Sequence, residues 1–165
     1  MSADLREQIR VLCSMAYEED FTAYLQLLSP ATHLLGYLDG KLVSHVAWVE
    51  RELYVGGLGP LRTAYIEAVA TLPSHQGRGF ATTLMQATPL LVHEFQLAAL
   101  APSDAAFYER LGWRMWEGPL SYIDPSGAEI ETPEEQVMIY PLPLTPSSLD
   151  VRASLTTKWR AIEVW

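Results

Sequence analysis

The sequence predicts an α/β (α+β) domain on three observations: an amphipathic helix opens the chain, an Asp-Gly dipeptide joins two apolar runs, and a strand, a glycine loop and a helix follow in succession. With 165 residues, 49% of them hydrophobic and 19% charged, the chain suits a single domain over residues 1–165 with a sizeable core.

Asp4 and Glu7 have capping-box spacing ahead of Ile9, Leu12, Cys13 and Ala16, whose helical periodicity gives the first helix its apolar face. A second helix over 21–28 stops at Ser29-Pro30, because the residue before a proline is pushed out of the helical region. The runs 33–38 and 42–48 pair through Asp39-Gly40, a dipeptide that accepts the positive φ angles of a tight hairpin. Gly56, Gly57, Gly59 and Pro60 mark a turn. Residues 64–72 (AYIEAVATL) read as a central strand carrying one charge, Glu67.

A loop over 74–79 then leads into a helix over 80–95, which Pro89 kinks or splits. Residues 96–100 form a buried strand, and 103–111 a short helix capped by Ser103 or Asp104 and ended by Gly112. Strands at 113–116, 120–123 and 136–140 complete the set, with a turn at 125–127. The tail 141–165 has little periodicity, yet Trp159 and Trp165 argue that it packs.

The net charge of -9, from 11 bases and 20 acids, repels phosphate backbones and anionic headgroups, so nucleic acid and membrane surfaces are excluded as partners. Its distribution says more. Seven acids and no base lie between Arg114 and Arg152, and four acids and no base between Arg10 and Lys41. Outside these stretches the chain is weakly basic, and that remainder holds a Gly/Arg segment around Arg78 where an anion could sit. The single cysteine, Cys13, allows no internal disulfide and suggests no metal cluster. With no apolar leader and no long apolar run, the expectation is a cytoplasmic protein.

Gln76-Gly77-Arg78-Gly79-Phe80-Ala81 stands between the central strand and a helix. Glycines there let backbone approach a ligand, and the first amides of a helix point outward unpaired, so a diphosphate would fit. No Lys-Ser/Thr follows, which excludes a Walker loop, and the three-glycine dinucleotide fingerprint is missing.

Gln76, Gly79 and Ala81 match the Gln/Arg-x-x-Gly-x-Gly/Ala pattern, and this segment resembles the acetyl-coenzyme A loop of the GNAT superfamily of N-acetyltransferases. Ala106-Phe107-Tyr108-Glu109-Arg110-Leu111-Gly112-Trp113 resembles a second motif of that superfamily, in the right order. From residue 63 onward, Tyr65-Ile66-Glu67-Ala68-Val69-Ala70, Trp116-x-Gly118-Pro119-x-Ser121, Thr132-Pro133-Glu134-Glu135, Ser148-Leu149-Asp150, Trp159-Arg160-Ala161 and Val164-Trp165 are similar to the aminoglycoside 2'-N-acetyltransferases.

The resemblance implies a GNAT fold: a mixed, mostly antiparallel twisted sheet of about six strands, flanked by about four helices and splayed between its two central strands. It implies acetyl-CoA as co-substrate and no metal. The coenzyme would be bound by Gln76, Gly77, Arg78, Gly79, Phe80 and Ala81 and, through a strand bulge, by backbone groups of Val69 and Thr71. Glu67 would take the proton of the acceptor amine, and Tyr108 would protonate the departing sulfur. Asp20, Glu134, Glu135, Glu163 and the main-chain carboxylate of Trp165 would hold a cationic sugar, since an ammonium leaves water only when paired.

Leu25 and Lys158 stand where the family's larger members have acids, which points to an aminoglycoside with fewer amines, of the kasugamycin kind. The family's opening strand is also missing ahead of the first helix, so the sheet is expected to be one strand shorter. Homodimers are frequent in the superfamily. Two alternatives stay open: another amine acceptor, such as a peptide or polyamine, and a non-catalytic acyl-CoA sensor.

Overall fold

The computed structural model describes residues 1–161 and 163–165. Helix α1 (Ala3–Tyr17) buries Ile9, Leu12 and Cys13, as its periodicity predicts. Its cap is Ser2, whose hydroxyl accepts from the Leu5 amide at 3.2 Å; Asp4, expected to cap, lies in the first turn and accepts from Gln8. Helix α2 (Thr22–Leu27) follows, then the hairpin of β1 (Thr32–Leu38) and β2 (Lys41–Val55), with Asp39 at φ 49° and Gly40 at φ 75° in the turn. Strand β2 runs past the expected end at residue 48, and β3 (Gly59–Thr71) begins at the glycine turn.

A short 3-10 turn (Pro73–His75) leads to α3 (Phe80–Leu91). This helix contains Pro89 and ends two residues after it, short of the expected residue 95, because a proline inside a helix has no N–H for the preceding turn. Then come β4 (Leu97–Leu100), α4 (Ala105–Glu109), β5 (Arg114–Met115), β6 (Leu120–Ile123), β7 (Glu129–Glu131), β8 (Met138–Pro141) and β9 (Leu155–Lys158). Asp104 caps α4 by accepting from the Phe107 amide at 3.2 Å, which decides between the two expected caps.

The described residues thus hold nine strands against about six expected. Strands β7 and β9 carried no sequence signal: β7 is exposed at every residue, and β9 (Leu-Thr-Thr-Lys) is defined by its neighbours.

The chain divides into two compact units, Met1–Val49 with Ile66–Leu90, and Glu50–Tyr65 with Leu91–Trp165. In the first, β1 pairs antiparallel with β2, and α1 and α2 cover a core of Ile9, Leu12, Phe21, Leu28, Val43 and Leu72. In the second, the strand order is β5-β8-β4-β3-β2-β9-β6-β7. The β3–β4 pair is parallel from Thr63↔Leu97 to Tyr65↔Ala99, and β6 lies parallel to β9. No helix among the described residues is long and apolar enough to cross a membrane.

Candidate active site

In the first unit the expected residues gather on the end of β3 and the loop after it. Glu67 is only 6% exposed, and its Oε2 accepts from the Tyr24 hydroxyl at 2.6 Å. Tyr24 comes from α2 and continues an aromatic stack in which Tyr17 lies on Phe21 at 5.0 Å and Phe21 on Tyr24 at 4.6 Å.

The next residue, Ala68, has φ 50°, a left-handed conformation inside a strand that costs a non-glycine residue about 1–2 kcal/mol. It is a local kink in the strand. Around it four successive carbonyls accept from side chains. His45 Nδ1 donates to Ala68 at 2.9 Å, Tyr17 to Val69 at 3.0 Å, Ser44 to Ala70 at 3.0 Å and Gln76 Nε2 to Thr71 at 3.2 Å. The Thr71 hydroxyl also meets Ser44 Oγ at 2.8 Å.

His45 is fully buried, and burial pulls its imidazole down to about 4, so the ring is neutral at ordinary pH. A carbonyl can only accept, so Nδ1 carries the proton. Nε2 is then the acceptor for His33 Nδ1, 2.9 Å away. Cys13, its thiol pushed up to about 12 by burial, touches the same ring at 3.7 Å and is a buried small hydrophobe.

The glycine loop follows. Gly77 and Gly79 have φ 70° and 83°, and a Cβ on either would meet nothing within 4 Å. Backbone conformation, not crowding, requires glycine there. The Gln76 side chain turns back to β3 and ties the loop to the strand. Helix α3 carries no acid in its first turn, and Arg78 lies beside its start, 5.4 Å from the Phe80 ring. An open backbone, a helix start and one guanidinium suit the pyrophosphate of a coenzyme.

Asp20 also belongs to the first unit. It is exposed and accepts from the Thr22 amide and hydroxyl at 3.0 and 2.6 Å, bonds that hold its carboxyl below the usual range. Leu25 packs against the apolar core and lines a cavity of about 170 Å³ with Arg6 and His33.

In the second unit Tyr108, on α4, is 6% exposed, with Phe107 and Trp113 edge-on at 5.0 and 6.3 Å. Burial, helped by Asp104, pushes its phenol up to about 12, so it keeps its proton at any working pH. Trp165 is 3% exposed and its indole donates to Thr132 Oγ1 at 2.9 Å. Arg51 Nη2 holds the Val164 carbonyl and the Thr157 hydroxyl at 2.7 Å each, and its guanidinium stacks 4.4 Å from the Tyr65 ring centre. Arg160 bonds the Glu163 carbonyl and approaches the Trp165 oxygen at 3.5 Å.

Glu134, Glu135 and Glu163 are exposed. Glu135 lines a cavity of about 340 Å³ with Trp116, Gly118, Leu120 and Thr132. Lys158 pairs with Glu52 at 3.3 Å and lies over the Tyr54 ring. Sequence reasoning missed Tyr17, Tyr24, Ser44, His45, Arg51 and Thr132 as supports. Of these, Thr132 belongs to the Thr132-Pro133-Glu134-Glu135 motif named above, and the spacing of Tyr17, Phe21 and Tyr24 across the break between α1 and α2 was a further signal.

A buried carboxylate on a kinked strand is thus followed by a glycine loop that opens a helix. The sequence matches the acetyltransferase (GNAT) domain family over residues 4–116, and the chain belongs to that family. It is 34% identical over 172 residues to the aminoglycoside 2'-N-acetyltransferase of Mycolicibacterium fortuitum, covering 100% of this chain and 87% of that protein.

Among solved structures, a GNAT family N-acetyltransferase (YhbS) from Escherichia coli in complex with CoA superposes with TM-score 0.66 at 18% identity, over 95% of this chain and 86% of that one. Eis1 from Mycobacterium abscessus superposes with TM-score 0.60 at 24% identity over 68% of this chain. The chain spans 30% of the length of that protein. The fold is the GNAT fold and the protein is an acetyltransferase of GNAT type.

Proposed function

We propose that the chain acetylates the 2'-amino group of an aminoglycoside from acetyl-CoA, conferring resistance to the antibiotic. The observation that carries this reading is Glu67: a carboxylate 6% exposed in a kinked strand, in a chain whose full length aligns with an aminoglycoside 2'-N-acetyltransferase.

Acetyl-CoA supplies, when bound, an acetyl group activated as a thioester. Glu67 takes the proton that the acceptor ammonium must lose before its nitrogen is nucleophilic, directly or through a water. The Val69 N–H serves as donor to developing negative charge, and the Thr71 backbone as a rail for the coenzyme arm. Gly77, Arg78, Gly79, Phe80 and Ala81 bind the pyrophosphate, with Gln76 holding the loop to β3. Tyr108, buried and protonated, supplies a proton to the departing sulfur. Asp20, Glu134, Glu135, Glu163 and the Trp165 carboxylate attract the cationic sugar.

Lys158 and Leu25 make that field weaker than eleven acids in two runs would suggest, which favours a kasugamycin-type acceptor over kanamycin or gentamicin. A cytoplasmic location and a homodimer accompany this reading, the latter checked by sedimentation. Thiol release from acetyl-CoA, measured with kasugamycin, kanamycin, gentamicin, spermidine and a peptide, tests it. Turnover with aminoglycosides, kasugamycin foremost, is expected. Coenzyme binding without any turnover would leave the acyl-CoA sensor, and turnover with peptide or spermidine alone would leave a different acceptor.

A further inference from the structure

His45 has no place in the proton transfers above, yet it bonds the strained point of the site. It lies in β2, fully buried, and donates from Nδ1 to the Ala68 carbonyl at 2.9 Å while Nε2 accepts from His33 at 2.9 Å. Ala68 is one of three non-glycine residues at positive φ among the described residues; the other two, Glu18 and Asp39, stand at a helix end and in a hairpin turn. Ala68 alone is inside a strand, between Glu67 and Val69.

Alanine does not choose that conformation. A strand relaxing to ordinary φ would rotate the peptide planes on both sides of Ala68 and re-aim both neighbours. The Ala68 carbonyl is the group whose direction that rotation changes, and it is the group His45 holds. A serine or threonine could bond a carbonyl too, as Ser44 does at Ala70. An imidazole adds a second anchor, because its far nitrogen is fixed by His33 and the ring cannot swing away.

We infer that His45 is a positioning residue for acetyl transfer: bonded to His33 on one side and to Ala68 on the other, it clamps the left-handed kink that aims the Glu67 carboxylate and the Val69 amide. The inference rests on the roles proposed above for Glu67 and Val69.

Two substitutions separate a clamp from a residue that merely fills space. Asparagine places an N–H near the position of Nδ1, so His45→Asn should retain most of the rate, whereas His45→Leu should lower kcat about tenfold or more, the ratio one lost hydrogen bond gives a two-state backbone. Glycine adopts φ 50° without strain, so Ala68→Gly in the His45→Leu background should return kcat to within about threefold of Ala68→Gly alone. Equal damage from leucine and asparagine, or no rescue by glycine, would overturn the clamp.

A readout that needs neither turnover nor a folded leucine variant is the imidazole nitrogen-15 spectrum of the wild-type protein. A neutral His45 protonated at Nδ1 is expected, and a ring protonated at Nε2 refutes the inference. Wild-type protein that acetylates a peptide or polyamine but no aminoglycoside, and shows the Nδ1 form, would end the aminoglycoside reading and leave the clamp standing.

Discussion

Acidification gives His45 a signature in stability that does not depend on the substrate. The folded ring titrates at about 4 because burial opposes its charge, whereas an unfolded chain titrates at the ordinary 6.5. Above 6.5 the ring is neutral in both states and stability is unaffected. As pH falls below 6.5, the unfolded chain takes up a proton that the native ring refuses, and each further pH unit costs the native state about 1.4 kcal/mol. The loss is complete near pH 4, at about 3 kcal/mol, or roughly 6–12 °C in Tm for a chain of this length.

The groups facing the ring are His33, lowered by burial and by the nearby Arg6, and the Cys13 thiol; neither opposes the trend. The carboxyls held low by partners, among them Glu7, Asp20, Glu50 and Asp124, also lose stability in acid, but only once the unfolded chain begins to protonate them, below about 5.5. The window from about 6.5 to 5.5 therefore belongs to the histidines. Urea midpoints taken across it should fall for the wild-type protein and much less for His45→Asn. Parallel curves would mean that His45 is not a buried neutral base.

Other perturbations test the chemistry and the packing. Glu67→Gln should lower kcat by roughly ten- to a thousandfold while leaving the acetyl-CoA Kd nearly unchanged; a near-normal rate in steady-state assays would remove Glu67 as the base. Tyr108→Phe should slow transfer less when the departing thiol is more acidic, since such a sulfur needs no proton, and rate ratios that do not depend on the donor would dismiss the phenol as an acid. Gly118→Ala should cost about 3 kcal/mol in urea unfolding, because its Cβ would stand 1.9 Å from the Ala153 carbonyl oxygen; wild-type stability would show that the bend between β5 and β6 does not pass so close to residue 153.

What was readable in the sequence follows the range of the interactions. The Asp39-Gly40 hairpin, the Asp104 cap and the Gly77 and Gly79 turns are set by residues a few positions apart, and such chemistry shows in a linear string. Strand β9 could not be read, because its threonines become a strand through registers with Tyr54 and Val55 and with residues 120–123. The kink at Ala68 could not be read either. Nothing about alanine announces positive φ, and the donors that hold residues 68–71 come from Tyr17, Ser44, His45 and Gln76, on four separate stretches of chain.

The C-terminal motifs illustrate the same distinction from the other side, since they were legible as a pattern before any reason for them was. Trp116 donates its indole N–H to the Ala153 carbonyl at 2.9 Å, and Gly118 leaves room for that same carbonyl. Ser121 bonds Thr156 of β9 at 2.9 Å, and Thr132 receives the Trp165 indole. Each motif residue of 116–132 thus meets a partner in 151–165. On the far side Trp165 is the partner that is itself a motif residue, and Ala153 and Thr156 are the others. The consequence is to bring Trp165 beside Thr132, in the segment that bears Glu134 and Glu135. In a chain of net charge -9, Glu134 and Glu135 thus follow a segment held by aromatic and small residues that carry no charge.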